Sequence, residues 1–186
     1  GNWDPVKEER GNTRGLIRGI AACCHQWGYK TGGFNAYIAS DVLPGSGLSS
    51  SASIEVLIGM ILSGLYNDNT LSIVEIARAG QYAENKYFGK PCGLMDQVAC
   101  AAGGIVAIDF ASPGEPVIQR LTYDFESRGY RIVVVNTGGS HADLTGEYTA
   151  IPREMDLIAS LLKKKKCREI DEDEIRRYYT PHCQVG

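Results

Sequence analysis

Apolar residues recur at helical spacing in three stretches of the first half of the chain. The first predicted helix spans residues 13–27 and buries one face. The second, over 51–66, is apolar around nearly its whole circumference, which indicates a helix that other elements surround. The third begins at Ser72 with a capping box, Ser72-x-x-Glu75, in which two side chains satisfy backbone N–H groups reciprocally. Glu84 falls in the middle of the apolar stripe of this third helix, where an uncompensated charge is costly.

Other runs have the patterns of strands, and the second half adds two helices. The runs with strand patterns are 33–43, 105–110, 117–123 and 130–136. A further helix is predicted to begin at Pro152, and the charged segment 167–177 is a candidate for one more. Because the helices and strands do not alternate regularly, the pattern predicts an α+β fold. We assign residues 1–150 to a first domain and 151–186 to the beginning of a second.

Composition narrows the class of protein. The chain has 186 residues, 44% of them hydrophobic, and a net charge of -3, which argues against a nucleic-acid partner and a membrane surface. The run of four lysines from Lys163 to Lys166 reads as a solvated helix end. Six cysteines form no C-x-x-C pair, so neither a disulfide framework nor a zinc site is predicted. A reduced, cytoplasmic setting is the simpler expectation, and no signal peptide or long apolar span is visible.

A glycine and serine loop precedes the apolar second helix. Its glycines allow a tight turn, and the free N–H groups at the helix start, together with the helix dipole, favour a phosphate. The loop is neither a Walker motif nor a dinucleotide fingerprint, because the lysine and the third glycine are missing. The alternative is an ordinary turn capped by serine. The candidate phosphate-binding residues are Pro44, Gly45, Ser46, Gly47, Leu48, Ser49, Ser50 and Ser51.

Two carboxylates are the other candidates for chemistry. Glu84 is interpreted as a magnesium ligand opposite a serine hydroxyl of the loop, with a structural salt bridge as the alternative. Asp96 lies among apolar neighbours, and is interpreted as a general base or, alternatively, as a helix-capping residue. A phosphate cradle, a metal carboxylate and a base together indicate phosphoryl transfer to a hydroxyl. A hydrolase triad around His141 is not supported, because the chain has no G-x-S-x-G motif.

Two motifs make the chain resemble the galactokinases, within the superfamily that includes homoserine, mevalonate and phosphomevalonate kinases. The run 47–55, Gly-Leu-Ser-Ser-Ser-Ala-Ser-Ile-Glu, is similar to the second, phosphate-binding motif of that superfamily. Tyr82-Ala83-Glu84 followed by 89–97, with its Cys-Gly-x-Met-Asp-Gln core, is similar to a motif that separates sugar kinases of this type from their relatives. The resemblance extends from about residue 13 to residue 152. It implies an N-terminal kinase domain with the ribosomal-protein-S5-domain-2-like fold.

The resemblance also implies a reaction and a role for each residue. The reaction is the ATP-dependent phosphorylation of D-galactose at its C1 hydroxyl, which gives galactose 1-phosphate. Asp96 would be the base, Glu84 with Ser50 or Ser51 would hold Mg²⁺, and the backbone from Gly45 to Ser51 would cradle the phosphates of ATP. The residues that would contact galactose are Gly93, Asp96 and Tyr148.

The chain also departs from the family pattern. The family's first motif has the form Gly-Arg-x-x-x-Glu-His-x-Asp, and its third motif is rich in glycine. Both motifs are missing from this sequence. We therefore expect a central fragment that phosphorylates galactose very poorly or not at all by itself, with exposed apolar faces that favour self-association. Two alternatives stay open. One is a non-catalytic sensor that binds galactose or ATP, and the other is a kinase of the same superfamily with a mevalonate-like or amino-alcohol substrate.

Overall fold

The structure is a computed structural model that describes residues 2–42, 47–112, 114–135 and 145–182. The chain divides into two compact units, residues 1–140 and residues 141–186, and each is described by itself. The boundary predicted at residue 150 stays a prediction, and the following paragraphs begin with the first unit.

Four α-helices form most of the first unit. They are α1 (Thr13–Gln26), α2 (Ser50–Tyr66), α3 (Ile73–Ala83) and α4 (Met95–Ala102), and a π-helical turn (Glu84–Phe88) directly continues α3. The three helices predicted from apolar periodicity are therefore confirmed. The predicted capping box is also present, with both of its reciprocal hydrogen bonds between Ser72 and Glu75. A short 3-10 turn (Lys7–Glu9) precedes α1.

The helices pack around an apolar core that α1, α2 and α3 share. Gly19 on α1 lies against α3, and a Cβ atom at that position would be 2.7 Å from Ala83 Cα. The missing side chain lets the two helices approach closely, and this approach brings the end of α3 into the interior. The fully buried apolar side chains of the helices include Ile20, Cys24, Ile58, Leu62, Ala83 and Val98.

Two antiparallel strands follow α4. β1 (Ile105–Asp109) pairs with β2 (Val117–Leu121), in a register that sets Ile105 opposite Leu121. Ile108 and Ile118 are directly opposite, and both pack on a small cluster that includes Val98 of α4. Two of the four predicted strands are therefore confirmed, each with an earlier end. This helical unit with a small sheet is compatible with the predicted α+β class.

The other two strand predictions are wrong. In the described parts of these runs, 33–42 and 130–135, the chain has no strand. Tyr37 is 97% exposed and Val133 is 76% exposed, whereas Phe34 packs against the helical core. Alternating polarity predicts which faces of a strand would be buried, but a ladder also needs N–H and C=O groups from a partner. Within the described residues, only β1 and β2 provide that partner for each other.

The second unit contains α5 (Thr145–Leu161) and α6 (Glu172–His182), with a 3-10 turn (Cys167–Glu169) between them. The prediction that a helix starts at Pro152 is wrong, because α5 begins earlier and Pro152 lies inside it. A proline inside a helix removes one backbone hydrogen bond, but the remaining turns of α5 continue on both sides. The charged segment forms part of the turn and of α6. In the part of the chain that the structure describes, no helix is long and apolar enough to cross a membrane.

Candidate functional site

The described part of the predicted phosphate loop runs from Gly47 into α2. Gly47 has a φ of 76°, and Ser49 has a φ of 57°, which is unusual for a residue with a side chain. Such a backbone costs about 1 kcal/mol at a non-glycine residue, so the loop is held in this conformation by its surroundings. Leu48 is exposed, and Ser50 is the first residue of α2. Pro44, Gly45 and Ser46, together with His141, lie outside the described residues.

The loop contacts Asp96 through Ser49. The Ser49 hydroxyl donates a hydrogen bond of 2.5 Å to Asp96 Oδ2, and it makes no capping hydrogen bond to α2. Asp96 is partly buried in the first turn of α4, whose N-cap residue is Leu94. The alternative interpretation of Asp96 as a helix cap is therefore wrong. The contact brings the predicted base to the predicted phosphate loop.

Glu84 is buried at the point where α3 passes into the π-helical turn, and only 2% of the residue is exposed. The Ser51 hydroxyl donates to Glu84 Oε1 over 3.0 Å. Lys90 Nζ lies 3.5 Å from the same oxygen. One carboxylate oxygen therefore has a serine of the loop and an ammonium beside it. The first contact fits the cation-site interpretation, and the second fits the salt-bridge interpretation.

The chain segment that leads from Glu84 to Asp96 is held by Asn85. Asn85 Oδ1 accepts a hydrogen bond of 2.7 Å from the backbone N–H of Cys92, and Asn85 Nδ2 donates to the carbonyl of Cys92 over 3.4 Å. Gly89, with a φ of 88°, ends the π-helical turn. Turns of this kind recur at functional sites because the extra residue redirects the side chains that follow.

Sequence reasoning missed two buried polar residues of this site, Glu55 on α2 and Gln97 on α4. Glu55 is 0% exposed and Gln97 is 1% exposed. Gln97 Nε2 donates to Glu55 Oε2 over 3.0 Å and to Glu84 Oε2 over 3.1 Å. Glu55 could have been found by the argument that identified Glu84, because it is a carboxylate within a helix that is apolar on all sides.

The electrostatics of the site follow from this burial. Burial, and next the charge of Glu84, raise the pKa of Glu55 to about 8. The same two causes raise the pKa of the Cys92 thiol above its usual range. The Lys90 ammonium lowers this pKa and Asp96 raises it, both by less than the first two causes do. With a pKa of about 8, Glu55 retains its proton near neutral pH, so its carboxyl group adds no negative charge to the site there.

The donor atoms at Glu84 fit a magnesium ion. Carboxylate and hydroxyl oxygens are hard ligands of the kind that Mg²⁺ prefers, and Glu84 and Ser51 supply one of each. Among the described residues, no group of three or more His, Cys, Asp or Glu side chains could hold a metal ion. Mg²⁺ usually takes only one or two protein carboxylates and completes its shell with phosphate oxygens and water, so the residues present are compatible with a nucleotide-bound ion.

The predicted sugar contacts lie in two different units. Gly93 is exposed and precedes α4, and a Cβ atom at that position would have no other atom within 4 Å. Gly93 lies three residues before Asp96 in the sequence. Tyr148 lies on α5 in the second unit, with 54% of its surface exposed. The role of both residues stays a prediction.

Comparison with known proteins agrees with the resemblance seen in the motifs. The sequence profile of the GHMP kinases N terminal domain matches residues 15–104, a range that includes Ser51, Glu84 and Asp96. The galactokinase of Actinobacillus pleuropneumoniae serotype 3 is 36% identical over 160 residues, which cover 84% of this chain and 39% of the relative.

Two further relatives give the range of identity. The galactokinase of Streptomyces coelicolor is 31% identical over 175 residues, covering 86% of this chain and 44% of the relative. The galactokinase of Clostridium tetani is 47% identical over 107 residues, covering 55% of this chain and 26% of the relative. The chain thus spans about two fifths of the length of the first relative. These matches show that the chain is similar to galactokinases over most of its length, and that its residues 15–104 match the sequence profile of the GHMP kinases N terminal domain.

Proposed function

We propose that this chain provides the phosphate-binding, cation-binding and base groups of a galactokinase, which uses ATP to phosphorylate D-galactose at the C1 hydroxyl. The observation that supports the proposal is a pair of hydrogen bonds from two serines that lie two residues apart. Ser49 donates to Asp96 and Ser51 donates to Glu84, so one loop contacts both carboxylates. A phosphate held by this loop would have the base and the cation ligand beside it.

In this proposal, Asp96 is the catalytic residue. Its carboxylate accepts the proton of the sugar C1 hydroxyl, the C1 oxygen forms a bond to the γ-phosphorus of ATP, and the bond from that phosphorus to the oxygen of ADP breaks. The Ser49 hydroxyl holds Asp96 Oδ2 at the loop. The backbone from Gly45 to Ser51 binds the phosphates through N–H groups, and Pro44 begins the loop.

Glu84 and Ser51 would hold Mg²⁺, with Ser50 as the second candidate hydroxyl. The ion would neutralise charge on the phosphate oxygens as the phosphoryl group is transferred. Ser51 is favoured over Ser50, because Ser51 makes the hydrogen bond to Glu84 Oε1. Gly93 and Tyr148 would contact the sugar. We assign the first unit to the ribosomal-protein-S5-domain-2-like fold on the strength of the same resemblance.

A single-turnover assay with γ-³²P-labelled ATP tests the proposal. The chain, at a concentration above that of ATP, is incubated with Mg²⁺ and with galactose, glucose or homoserine. We expect labelled galactose 1-phosphate, formed far more slowly than by an ordinary kinase, and we expect Asp96→Asn to remove the product. Asp68→Asn is the matched control, because Asp68 is an exposed carboxylate in the turn that follows α2.

Each other outcome contradicts a specific part of the proposal. Transfer to homoserine in preference to galactose would indicate another kinase of the superfamily. Binding of galactose or ATP by calorimetry without any transfer, in a longer version of the protein that includes the first and third motifs, would indicate a sensor. Equal transfer by the chain and by Asp96→Asn would refute the role of Asp96 as base. Turnover at ordinary kinase rates would refute the expectation that the chain has low activity by itself.

A further inference from the structure

One amide group joins two buried glutamate side chains beside the proposed cation site. Gln97 on α4 donates from the same nitrogen to Glu55 Oε2 on α2 and to Glu84 Oε2 at the end of α3. None of the three residues is more than 2% exposed. Three separate helical segments therefore meet at one buried group.

The two oxygens of Glu84 have different partners. Oε2 faces inward and accepts from Gln97, whereas Oε1 has the Ser51 hydroxyl at 3.0 Å and the Lys90 ammonium at 3.5 Å. Oε1 is thus the oxygen on the side of the phosphate loop. The hydrogen bond to Oε2 fixes the rotation of the Glu84 carboxylate, and this rotation decides where Oε1 is directed.

Glu55 fixes the orientation of Gln97 in turn. A primary amide has two N–H groups, and here one is used by each glutamate. Without an acceptor at position 55, one buried N–H group would be unpaired, and such a group costs about 1–3 kcal/mol. Rotation of the Gln97 side chain would relieve that cost and would break the bond to Glu84. The Gln97 nitrogen also lies 3.6 Å from Cys92 Sγ, a much weaker acceptor.

The packing around Glu55 accommodates a polar group, although an apolar side chain would avoid the free-energy cost of burying polar atoms. Gly80 on α3 lies directly against the pair, and a Cβ atom there would be 3.0 Å from Glu55 Oε2 and 3.2 Å from Gln97 Cγ. Glu55 Oε1 and Gln97 Oε1 are buried and have no hydrogen-bond partner among the described residues. A side chain required only for packing would not have to bury these unpaired oxygens.

We propose that Glu55 is a positioning residue that acts through Gln97 to hold Glu84 with Oε1 directed at the cation site beside Ser51. The proposal rests on the proposed function, since it requires that Glu84 is a cation ligand. Glu55 and Gln97 thus share one role, the orientation of Glu84. Phosphate binding by the loop and proton transfer to Asp96 do not need that role. Glu55 and Gln97 touch neither the sugar nor the phosphates in this arrangement.

Binding of Mn²⁺ with a non-hydrolysable ATP analogue tests the proposal without any need for turnover. The loss of the free Mn²⁺ signal in electron paramagnetic resonance gives the affinity for the cation. We expect Glu55→Met and Gln97→Met each to weaken this affinity by about 10- to 100-fold, the range typical of residues that support a metal ligand. Glu55→Gln retains an acceptor oxygen for Gln97, so its affinity should stay within about threefold of the unchanged chain.

The double variant Glu55→Met/Gln97→Met separates positioning from a general loss of stability. Because Glu55 acts through Gln97, the double variant should bind Mn²⁺ no more weakly than Gln97→Met alone. Ile58→Ala is the matched control, because it removes a fully buried side chain from α2 but leaves the three polar residues intact. It should lower the melting temperature and leave the Mn²⁺ affinity unchanged.

The outcomes distinguish this proposal from the proposed function. If the unchanged chain binds Mn²⁺ and Glu84→Gln weakens that binding, but Glu55→Met does not, the positioning role is wrong and the cation site stands. If the double variant shows the sum of the two single losses, Glu55 acts independently of Gln97 and the proposal is also wrong. If Glu55→Met does not fold, the positioning role is supported when Gln97→Met binds Mn²⁺ more weakly and Glu55→Gln retains its binding. If the unchanged chain does not bind Mn²⁺, both proposals fail.

Discussion

The substitution Glu55→Gln should make the stability of the first unit nearly independent of pH between pH 5 and pH 8. Glu55 is fully buried, and the charged groups that act on its pKa are Glu84, Lys90 and Asp96. Burial and the charge of Glu84 raise the pKa of Glu55 in the folded chain to about 8, from an ordinary value of 4.5. Glutamine has nearly the same shape as protonated glutamate, but it does not titrate in this range.

The expected magnitude follows from proton linkage. Between the ordinary pKa of 4.5 and the folded pKa of about 8, folded Glu55 retains a proton that the unfolded chain has lost. The stabilising effect of this proton is fully present below the lower value, and it is lost as the pH rises through the upper one. The free energy of unfolding should thus fall by about 1.4 kcal/mol per pH unit, and by at most about 5 kcal/mol over the whole interval.

Unfolding in urea, followed by tryptophan fluorescence, measures the pH dependence of stability in the first unit of the chain. The chain has two tryptophans, Trp3 and Trp27, and both lie in the first unit. The pKa of Glu75, which accepts from Tyr29, is lowered, so that group titrates below the interval. Burial raises the pKa of Cys23 to about 12, so that thiol titrates above it.

A comparison of the two chains at each pH isolates the contribution of Glu55. The original chain should lose stability from pH 5 to pH 8, and Glu55→Gln should not. The same slope in both chains would refute the reasoning, because it would mean that Glu55 already has its charge in the folded state at pH 5. A steeper loss in Glu55→Gln would refute it as well.

Three other predictions concern packing, capping and association. Gly80→Ala places a Cβ atom 3.0 Å from Glu55 Oε2, so despite a gain in helix propensity it should lower the unfolding free energy by about 1–2 kcal/mol in urea titrations; an unchanged or raised value would contradict the close contact. Ser72→Ala removes the capping box of α3 and should cost about 1 kcal/mol by the same measurement, so a change below about 0.3 kcal/mol would argue against the cap. The exposed apolar residues Val133 and Val135 should promote self-association, which light scattering would detect as a mass that rises with concentration and that Val133→Lys/Val135→Lys lowers; a constant monomer mass for the unchanged chain would contradict this.

The helices α1, α2 and α3 could be predicted from the sequence, but α4, the start of α5 and the absence of two predicted strands could not. Apolar periodicity gave α1 and α2 within one residue at each end, because helix hydrogen bonds are local and a buried face is sufficient to fix the pattern. The runs at 33–43 and 130–136 have strand patterns, but the partner of a strand is remote in sequence. Pairing therefore could not be read from the residues of the run alone.

The site was predicted in outline, and its buried support was not. Glu84 was recognised as a carboxylate on an apolar stripe, and its burial is confirmed. Glu55 is likewise a carboxylate in an apolar helix, and the argument used for Glu84 would have identified it if it had been applied to α2. Gln97 is next to Asp96 on α4, and its role depends on the approach of two other helices, which is a property of the packing.

The central claim is that Glu84 and Ser51 form the protein side of an ATP and cation site. Anomalous X-ray diffraction from crystals of the chain grown with Mn²⁺ and a non-hydrolysable ATP analogue tests it most directly. The account predicts an anomalous peak with Glu84 Oε1 and the Ser51 hydroxyl within about 2.3 Å, close to the distance at which these ligands hold Mg²⁺. A nucleotide bound with its metal ion away from Glu84, or a Glu84 carboxylate still paired only with Lys90 at saturating Mn²⁺, would contradict it.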